Sequence, residues 1–273
     1  MALSRRLDTG GWEIRGTCRD ADRQRALGAL GIKAALFDGL APMDPPDVPD
    51  GVTHVLLSIP PAEEGDTAFL YHADRIAELG SVEWVGYLST TGVYGNRDGD
   101  WVDETSDLRP GSPRSQRRVD AERAWLEWGD RHGIATQIFR LAGIYGPGRS
   151  VAEQIKAGTA RRIDKPGHVF SRIHVEDIAT VLAASIGKPE PGAIYNVCDD
   201  EPAAPADVTA YVCELLSIAS PPLIPFEDAE LSPMAKTFWA DNRRVRNDRI
   251  KDKLGVELAF PDYRIGMRAV LGL

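Results

Sequence analysis

The sequence predicts an α/β protein: a doubly wound parallel sheet with helices on both faces, followed by a small mixed C-terminal lobe. Two observations predict it. Strand-like and helix-like segments alternate through about the first two thirds of the 273 residues, and the strands are near-continuous apolar runs such as THVLLSI and VEWVGYL. Strands buried on both faces by covering helices read this way. After Arg149 the alternation gives way to short helices and Pro-rich turns such as SPPLIPF.

Residues 12–18 (WEIRGTC) read as the first visible strand, and the polar stretch DADRQRALGALG as the helix after it. Residues 32–37 (IKAALF) form a short strand. The loop APMDPPDVPDG follows, too rich in Pro for a helix interior. THVLLSI is a strand stopped by Pro60 and Pro61, and a helical pattern fills 66–79. Residues 82–88 are the next strand, 113–132 a long amphipathic helix ending near Gly133, and 134–141 (IATQIFRL) another strand. VAEQIKAG is a short helix, 176–186 a longer one, and AIYNVCD a strand. RRVRNDRIKDK, 243–253, reads as a strand and a solvated helix capped by Asn247 or Asp248, not a nucleic-acid site. The expected division is a core of 1–145, to which 175–200 return, and a lobe of 146–174 and 201–273. Ligands of such sheets bind at the carboxyl ends of the strands, which singles out the loops at Arg19, Asp38, Ser58-Ile59-Pro60, Ser89-Thr90-Thr91 and 142–149.

Hydrophobic residues are 43% and charged residues 27%, ordinary for a globular chain. The net charge of -9 argues against a general nucleic-acid binder. No stretch approaches the ~18 apolar residues of a membrane helix, and the N-terminus has no apolar core like that of a secretion signal. Three dispersed cysteines, Cys18, Cys198 and Cys213, argue against a disulfide framework or a zinc site, and no metal is expected. A reducing cytoplasm is the expected compartment, and Cys198 reads as a core residue.

Several motifs succeed one another in fixed order: STTGVYG (89–95), DET (103–105), Arg118-x-x-x-Glu122, RLAGIYGPGR (140–149), RIHVEDIA (172–179) and YNVCDDEP (195–202). This succession resembles the extended short-chain dehydrogenase/reductase superfamily, whose members are NAD-dependent epimerases and dehydratases. SRIHVEDIA and NVCDDEP resemble an atypical, YeeZ-like branch. The resemblance covers nearly the whole chain. It implies a Rossmann-like core that binds NAD or NADP, a sugar-nucleotide or similar polar substrate between core and lobe, and hydride chemistry assisted by Ser or Thr, Tyr and Lys. It also implies a possible homodimer through the helix containing Arg118 and the preceding one.

The sequence departs from that pattern twice. No G-x-G-x-x-G turn, which cradles a pyrophosphate at a helix N-terminus, occurs near the start. Residues 1–8 match the tail of the first helix, so strand one and its glycine turn are missing. The expectation is a true start upstream of Met1; the alternative is a truncated, impaired binder. In the catalytic helix, aligning Glu122 puts Arg118 at the Lys position and Arg114 at the Tyr position. Arginine stays protonated and cannot replace a proton-transferring Tyr. Tyr94 and Tyr145 are the candidate substitutes.

The candidate catalytic residues are Thr90, Tyr94 and Arg118. Thr90 is read either as a hydroxyl for a substrate oxygen or as a turn cap. The cofactor candidates are Arg19, Asp38, Ser58, Ile59, Pro60, Thr90, Arg118 and Leu141. Arg19 favours the 2′-phosphate of NADP over NAD; the alternative is a solvated surface Arg. The substrate candidates are Tyr145, Arg149, Arg172 and His174. Arg172 and His174, two apart on a strand, share a face that suits an anionic substrate. Structural roles stay open for Tyr145 and His174. Glu176 and Asp177 read as helix caps, and Asp199, Asp200 and Glu201 as a solvated acidic turn. Two functions follow: an NAD(P)-dependent oxidoreductase or epimerase, or a catalytically degenerate dinucleotide sensor.

Overall fold

The structure is a computed structural model that describes residues 1–7, 10–43 and 49–273. Residues 44–48 of the predicted Pro-rich loop, and Asp8 at the end of the predicted helix tail, lie outside the described residues. The chain runs α1 (Ala2–Leu7), β1 (Arg15–Cys18), α2 (Ala21–Gly28), β2 (Lys33–Leu36), β3 (His54–Leu57), α3 (Thr67–Glu78) and β4 (Trp84–Thr90). A tight turn at Thr91–Tyr94 leads to β5 (Trp101–Val102), α4 (Pro113–His132), β6 (Ala135–Leu141), β7 (Gly143–Tyr145) and α5 (Val151–Lys156). Then come β8 (Arg162–Asp164), β9 (Arg172–His174), α6 (Val175–Gly187), β10 (Ile194–Val197) and α7 (Pro205–Leu215). The chain closes with β11 (Leu223–Pro225), α8 (Pro233–Ala240), β12 (Arg244–Val245), α9 (Asp248–Asp252) and α10 (Tyr263–Leu271).

Four parallel strands in the order β10-β6-β4-β3 form the central sheet. Side chains alternate across it. Val85, Tyr87 and Ile138 pack against Ala73 and Ile76 of α3 and Trp125 and Trp128 of α4. Trp84, Phe139 and Tyr195 pack on the other face against Val181 and Leu182 of α6, with Leu3 of α1 at the margin. The two faces therefore carry separate apolar cores, as a doubly wound sheet requires.

β1 and β2 form a separate parallel pair. Among the described residues no strand joins the second edge of β1 or of β3. β1, β2 and β3 are each shorter than the strands predicted at 12–18, 32–37 and THVLLSI, and side chains expected inside are open: Leu36 is 49% exposed and Leu56 37%. A strand with one neighbour leaves a row of unpaired backbone groups and loses cover from its flanks.

The lobe has its own core, in which Tyr145 meets Ala152 of α5, Val208 and Val212 of α7, and Met267 of α10. A β-carbon at Gly266 would overlap the Tyr145 hydroxyl, so only glycine lets α10 close over that ring. The predicted solvated helix at the basic run is α9, but Ile250 is fully buried and Asn247, far from being a free cap, is buried with its amide donating to Cys198 O at 2.8 Å and Asp200 Oδ1 at 2.7 Å. Among the described residues no helix is long and apolar enough to cross a membrane, no cluster of three His, Cys, Asp or Glu could hold a metal ion, and all three cysteines are free and buried.

Candidate functional site

Parallel pairing sets the ends of the strands level. Thr90, last in β4, lies in register with Leu141, last in β6, and Leu141 with Val197 of β10. The turn after Thr90 needs a cap, and Thr90 Oγ1 supplies it by accepting from Gly92 N at 3.1 Å. Its hydroxyl proton donates to nothing among the described hydrogen bonds and is free for a ligand. A β-carbon on Gly92 would lie 3.3 Å from Thr90 Oγ1 and 3.4 Å from Ser115 Oγ. Two hydroxyls therefore border one backbone turn. Ser115 stands in the first turn of α4, where Ser112 Oγ caps it by accepting from Ser115 N at 3.2 Å.

Below Thr90 runs a buried polar chain. Ser89 Oγ donates to Glu122 Oε1 at 2.5 Å, and the Arg140 guanidinium pairs with Glu122 at 2.7 Å. Arg140 Nη1 donates to the Tyr94 hydroxyl at 2.9 Å, which donates to Asn196 Oδ1 at 2.7 Å. Tyr94 is fully buried, and burial pushes its phenol up to about 12. This placement corrects its expected catalytic role: the hydroxyl is spent inside the core and cannot pass a proton to a ligand. Arg118 is also turned inward. Its Nη1 donates to the Tyr87 hydroxyl at 3.0 Å and to Leu88 O at 2.8 Å, so the side chain fastens α4 to β4. Arg114, at the position of the missing Tyr, is exposed.

The cofactor candidates lie at neighbouring strand ends. Arg19 is exposed and directly follows β1, while Asp20 beside it caps α2 by accepting from Arg23 N at 2.8 Å. Asp38 turns the loop after β2 by accepting from Leu40 N at 2.9 Å. That loop docks on α3, where the Tyr71 hydroxyl donates to Leu40 O at 3.2 Å. Ser58 and Pro60 are exposed after β3, and Ile59 is half-buried between them.

The substrate candidates are not brought together in an open cleft. Arg172 donates through Nη1 to Phe170 O at 2.8 Å and Ala203 O at 2.9 Å, and burial holds its guanidinium below the usual arginine range. His174 caps α6 by accepting from Glu176 N at 3.3 Å and lies 3.9 Å from the Phe260 ring; burial lowers its pKa. The shared face expected from strand spacing is thus consumed at the junction of core and lobe. Tyr145 meets His174 edge-on at 5.2 Å, and its buried hydroxyl has no partner among the described residues. Arg149 is exposed.

The acidic turn is not solvated as a whole. Asp200 binds Lys251 at 2.6 Å and Glu201 binds Arg264 at 2.6 Å at the surface. Asp199 is 1% exposed, neither carboxyl oxygen has a partner among the described residues, and burial raises its pKa to about 8. Asp177 is no exposed cap either: it accepts from Ala259 N at 2.9 Å and Phe260 N at 3.0 Å. Cys198 lies in the core as expected, though one residue past the end of β10 and not in the strand itself. Sequence reasoning missed Ser115, because the family's spacing puts Arg114 at the Tyr position; a serine one position on, in the first helical turn, was the available signal.

Comparison with known proteins adds three findings. The sequence model of the NAD dependent epimerase/dehydratase family matches residues 74–198. Protein YeeZ of Escherichia coli (strain K12) is 26% identical, over 96% of this chain and 93% of its own length. Among solved structures, a functionally unknown conserved protein from Silicibacter pomeroyi is 50% identical with a TM-score of 0.91, over 99% of this chain and 93% of that one. A dTDP-glucose 4,6-dehydratase from Bacillus anthracis, solved in complex with NAD, shares the fold at 13% identity, with a TM-score of 0.75 over 99% of this chain and 91% of that one.

Proposed function

We infer, since this chain belongs to the NAD-dependent epimerase/dehydratase family within the extended short-chain dehydrogenases, that it binds NAD(P), with NADP preferred, across the tips of its parallel strands. The observation that carries this is the register of Thr90 with Leu141, which sets a free hydroxyl proton beside an apolar strand end, with Ser115 Oγ on the same turn. Arg19, exposed at the end of β1, suits a ribose 2′-phosphate by a charge-assisted bond. Asp38 and Ser58 to Pro60 would line the adenosine half, and Thr90, Ser115 and Leu141 the nicotinamide half. The residues present fit the two ends of the dinucleotide. For its pyrophosphate, no strand, glycine turn and helix stand between β1 and β3 among the described residues.

A bound nicotinamide would supply hydride chemistry. This chain's own residues orient rather than transfer protons: Thr90 and Ser115 offer neutral hydroxyls that donate and accept. A sugar-nucleotide or similar polar substrate would lie between the strand tips and the lobe, where Arg149 is an exposed cation. The family and the substrate named for the neighbouring dehydratase support this choice. A protein that binds the dinucleotide without turnover is the second reading, and one observation favours it: the Tyr94 hydroxyl is consumed inside the core, and the half-buried Arg118 is turned onto Tyr87 and Leu88. A homodimer through α3 and α4 and a cytoplasmic setting belong to the same proposal.

Calorimetric titration with NADPH and NADH tests the binding, and turnover of either cofactor with sugar nucleotides separates the two readings. Saturable binding of NADPH supports the proposal, and binding of neither cofactor sinks it. Binding without turnover selects the sensor.

A further inference from the structure

We propose that Arg172 and Asp199 form a proton-controlled latch between core and lobe: while Asp199 is protonated Arg172 clasps the lobe, and when Asp199 ionises Arg172 turns onto its carboxylate and lets go. The latch needs no ligand and stands apart from the dinucleotide reading.

The clasp can be followed residue by residue. Phe170, before β9, and Ala203, before α7, form an isolated antiparallel bridge in which each amide donates to the other's carbonyl at 3.1 Å. Arg172 Nη1 donates to the same two carbonyls, at 2.8 Å and 2.9 Å. One buried cation thus ties the chain entering β9 to the chain entering the lobe. Ala203 itself belongs to the lobe core with Tyr145, Val208 and Met267, so the bridge anchors that core.

Asp199 is placed to compete for the same guanidinium. Its amide donates to Arg172 O at 2.6 Å, which sets the two residues side by side. It is 1% exposed, and neither carboxyl oxygen has a partner among the described residues. A buried carboxyl without donors keeps its proton, because burial disfavours the charged form. Once ionised it is a buried charge that must find a counter-ion.

The surroundings leave Arg172 as that counter-ion. Asp200 adds a like charge to Asp199. The Tyr145 phenol of β7 is pushed up by burial and by Asp199, Asp177 and Asp262. Burial lowers His174 and raises the Cys198 thiol, so neither brings a charge. Lys251 and Arg264 are engaged at the surface by Asp200 and Glu201. Opposite charges attract more strongly across a buried junction than a charge attracts neutral carbonyls. The guanidinium is a rigid fork, so turning its edge onto the carboxylate carries Nη1 away from Phe170 and Ala203 together.

The test follows the full chain by carbon-detected NMR from about pH 5 to about pH 10, above the ordinary carboxylate range of about 4. The Asp199 carboxyl carbon, the Arg172 side-chain nitrogens and the carbonyl carbons of Phe170 and Ala203 should move together with one midpoint, while Met267 stays in place. In Asp199→Asn, Arg172 and the two carbonyl carbons should stay still over the same range. Above the midpoint, at one pH, hydrogen exchange of the Phe170 and Ala203 amides should be about tenfold or more slower in Asp199→Asn than in the parent; below it the two should agree. The titration of the unsubstituted protein decides the matter even if the variant does not fold. An Asp199 carboxyl that does not titrate, carbonyl carbons that do not follow it, equal movement in Asp199→Asn, or loss of signals throughout the lobe overturns the proposal.

Discussion

Glu122 of α4 and Arg140 of β6 form an ion pair at 2.7 Å with each side chain 3% exposed. The pair lies beneath Thr90, and its outer bonds reach Ser89 on one side and Tyr94 on the other. A charge pair this deep holds because further hydrogen bonds support both partners, Glu122 accepting from Ser89 and Arg140 donating to Tyr94. It therefore fixes the strand end that presents the candidate site.

Removing one partner should be far costlier than replacing both. Glu122→Gln leaves the Arg140 charge buried without a counter-ion, and unfolding in urea should show a loss of about 3–5 kcal/mol. The double variant Glu122→Leu/Arg140→Met should regain much of that loss. A single variant as stable as the parent would contradict the account.

Asp199 gives a pH dependence of unusual sign. Its carboxyl titrates near 3.9 when unfolded and at about 8 when folded, because burial outweighs the nearby Arg172 charge. The folded state thus holds the proton more tightly. Its contribution is fully present below about pH 4 and is lost as pH rises towards 8. Each unit of difference is worth about 1.4 kcal/mol. Asp199→Asn should be the more stable protein at pH 8.5 by a few kcal/mol and should lose that advantage near pH 4. Urea midpoints at the two pH values, compared with the parent, measure it.

Tyr145 and Gly266 make a paired prediction. Gly266→Ala drives a methyl into the Tyr145 hydroxyl and should cost about 1–3 kcal/mol by overpacking. Tyr145→Phe removes a buried hydroxyl without a partner among the described residues and should be neutral or stabilising. Combined, the two should be closer to the parent than Gly266→Ala alone, which thermal unfolding can read.

Arg19 should set the choice of cofactor. Arg19→Ala removes one charge-assisted contact worth about 1.5–3 kcal/mol, so NADPH affinity should fall about ten- to a hundredfold while NADH affinity stays level. An equal loss for both would place Arg19 outside the 2′-phosphate site.

Much of the fold was legible because local and long-range signals agree. In α4 the cap at Ser112, Pro113 in the first turn and the left-handed Gly133 at φ 65° all mark boundaries that the sequence displays. The end of β6 at Leu141 followed from its apolar run alone, whereas β4 runs two residues past the predicted end at Leu88, through the polar Ser89 and Thr90. The site was less legible. Spacing two apart placed Arg172 and His174 on one strand face, but α6 begins at Val175, so His174 is a helix cap. Period-two reasoning fails at a strand-to-helix joint. The run Asp199-Asp200-Glu201 looked solvated because its charges are consecutive. Lys251 and Arg264, both distant in sequence, pair with two of them and leave the third inside. The tyrosine motif promised a reactive phenol at Tyr94; only tertiary structure reveals that Arg140 and Asn196 already occupy it.

The most direct measurement is amide chemical-shift mapping of the isotope-labelled protein during an NADPH titration. The account predicts saturable shifts clustered at Arg19, Asp38, Ser58, Thr90, Ser115 and Leu141, with the amides of Arg172 and His174 little changed. Shifts confined to other surfaces, or none at all, would contradict a dinucleotide lying across the strand tips.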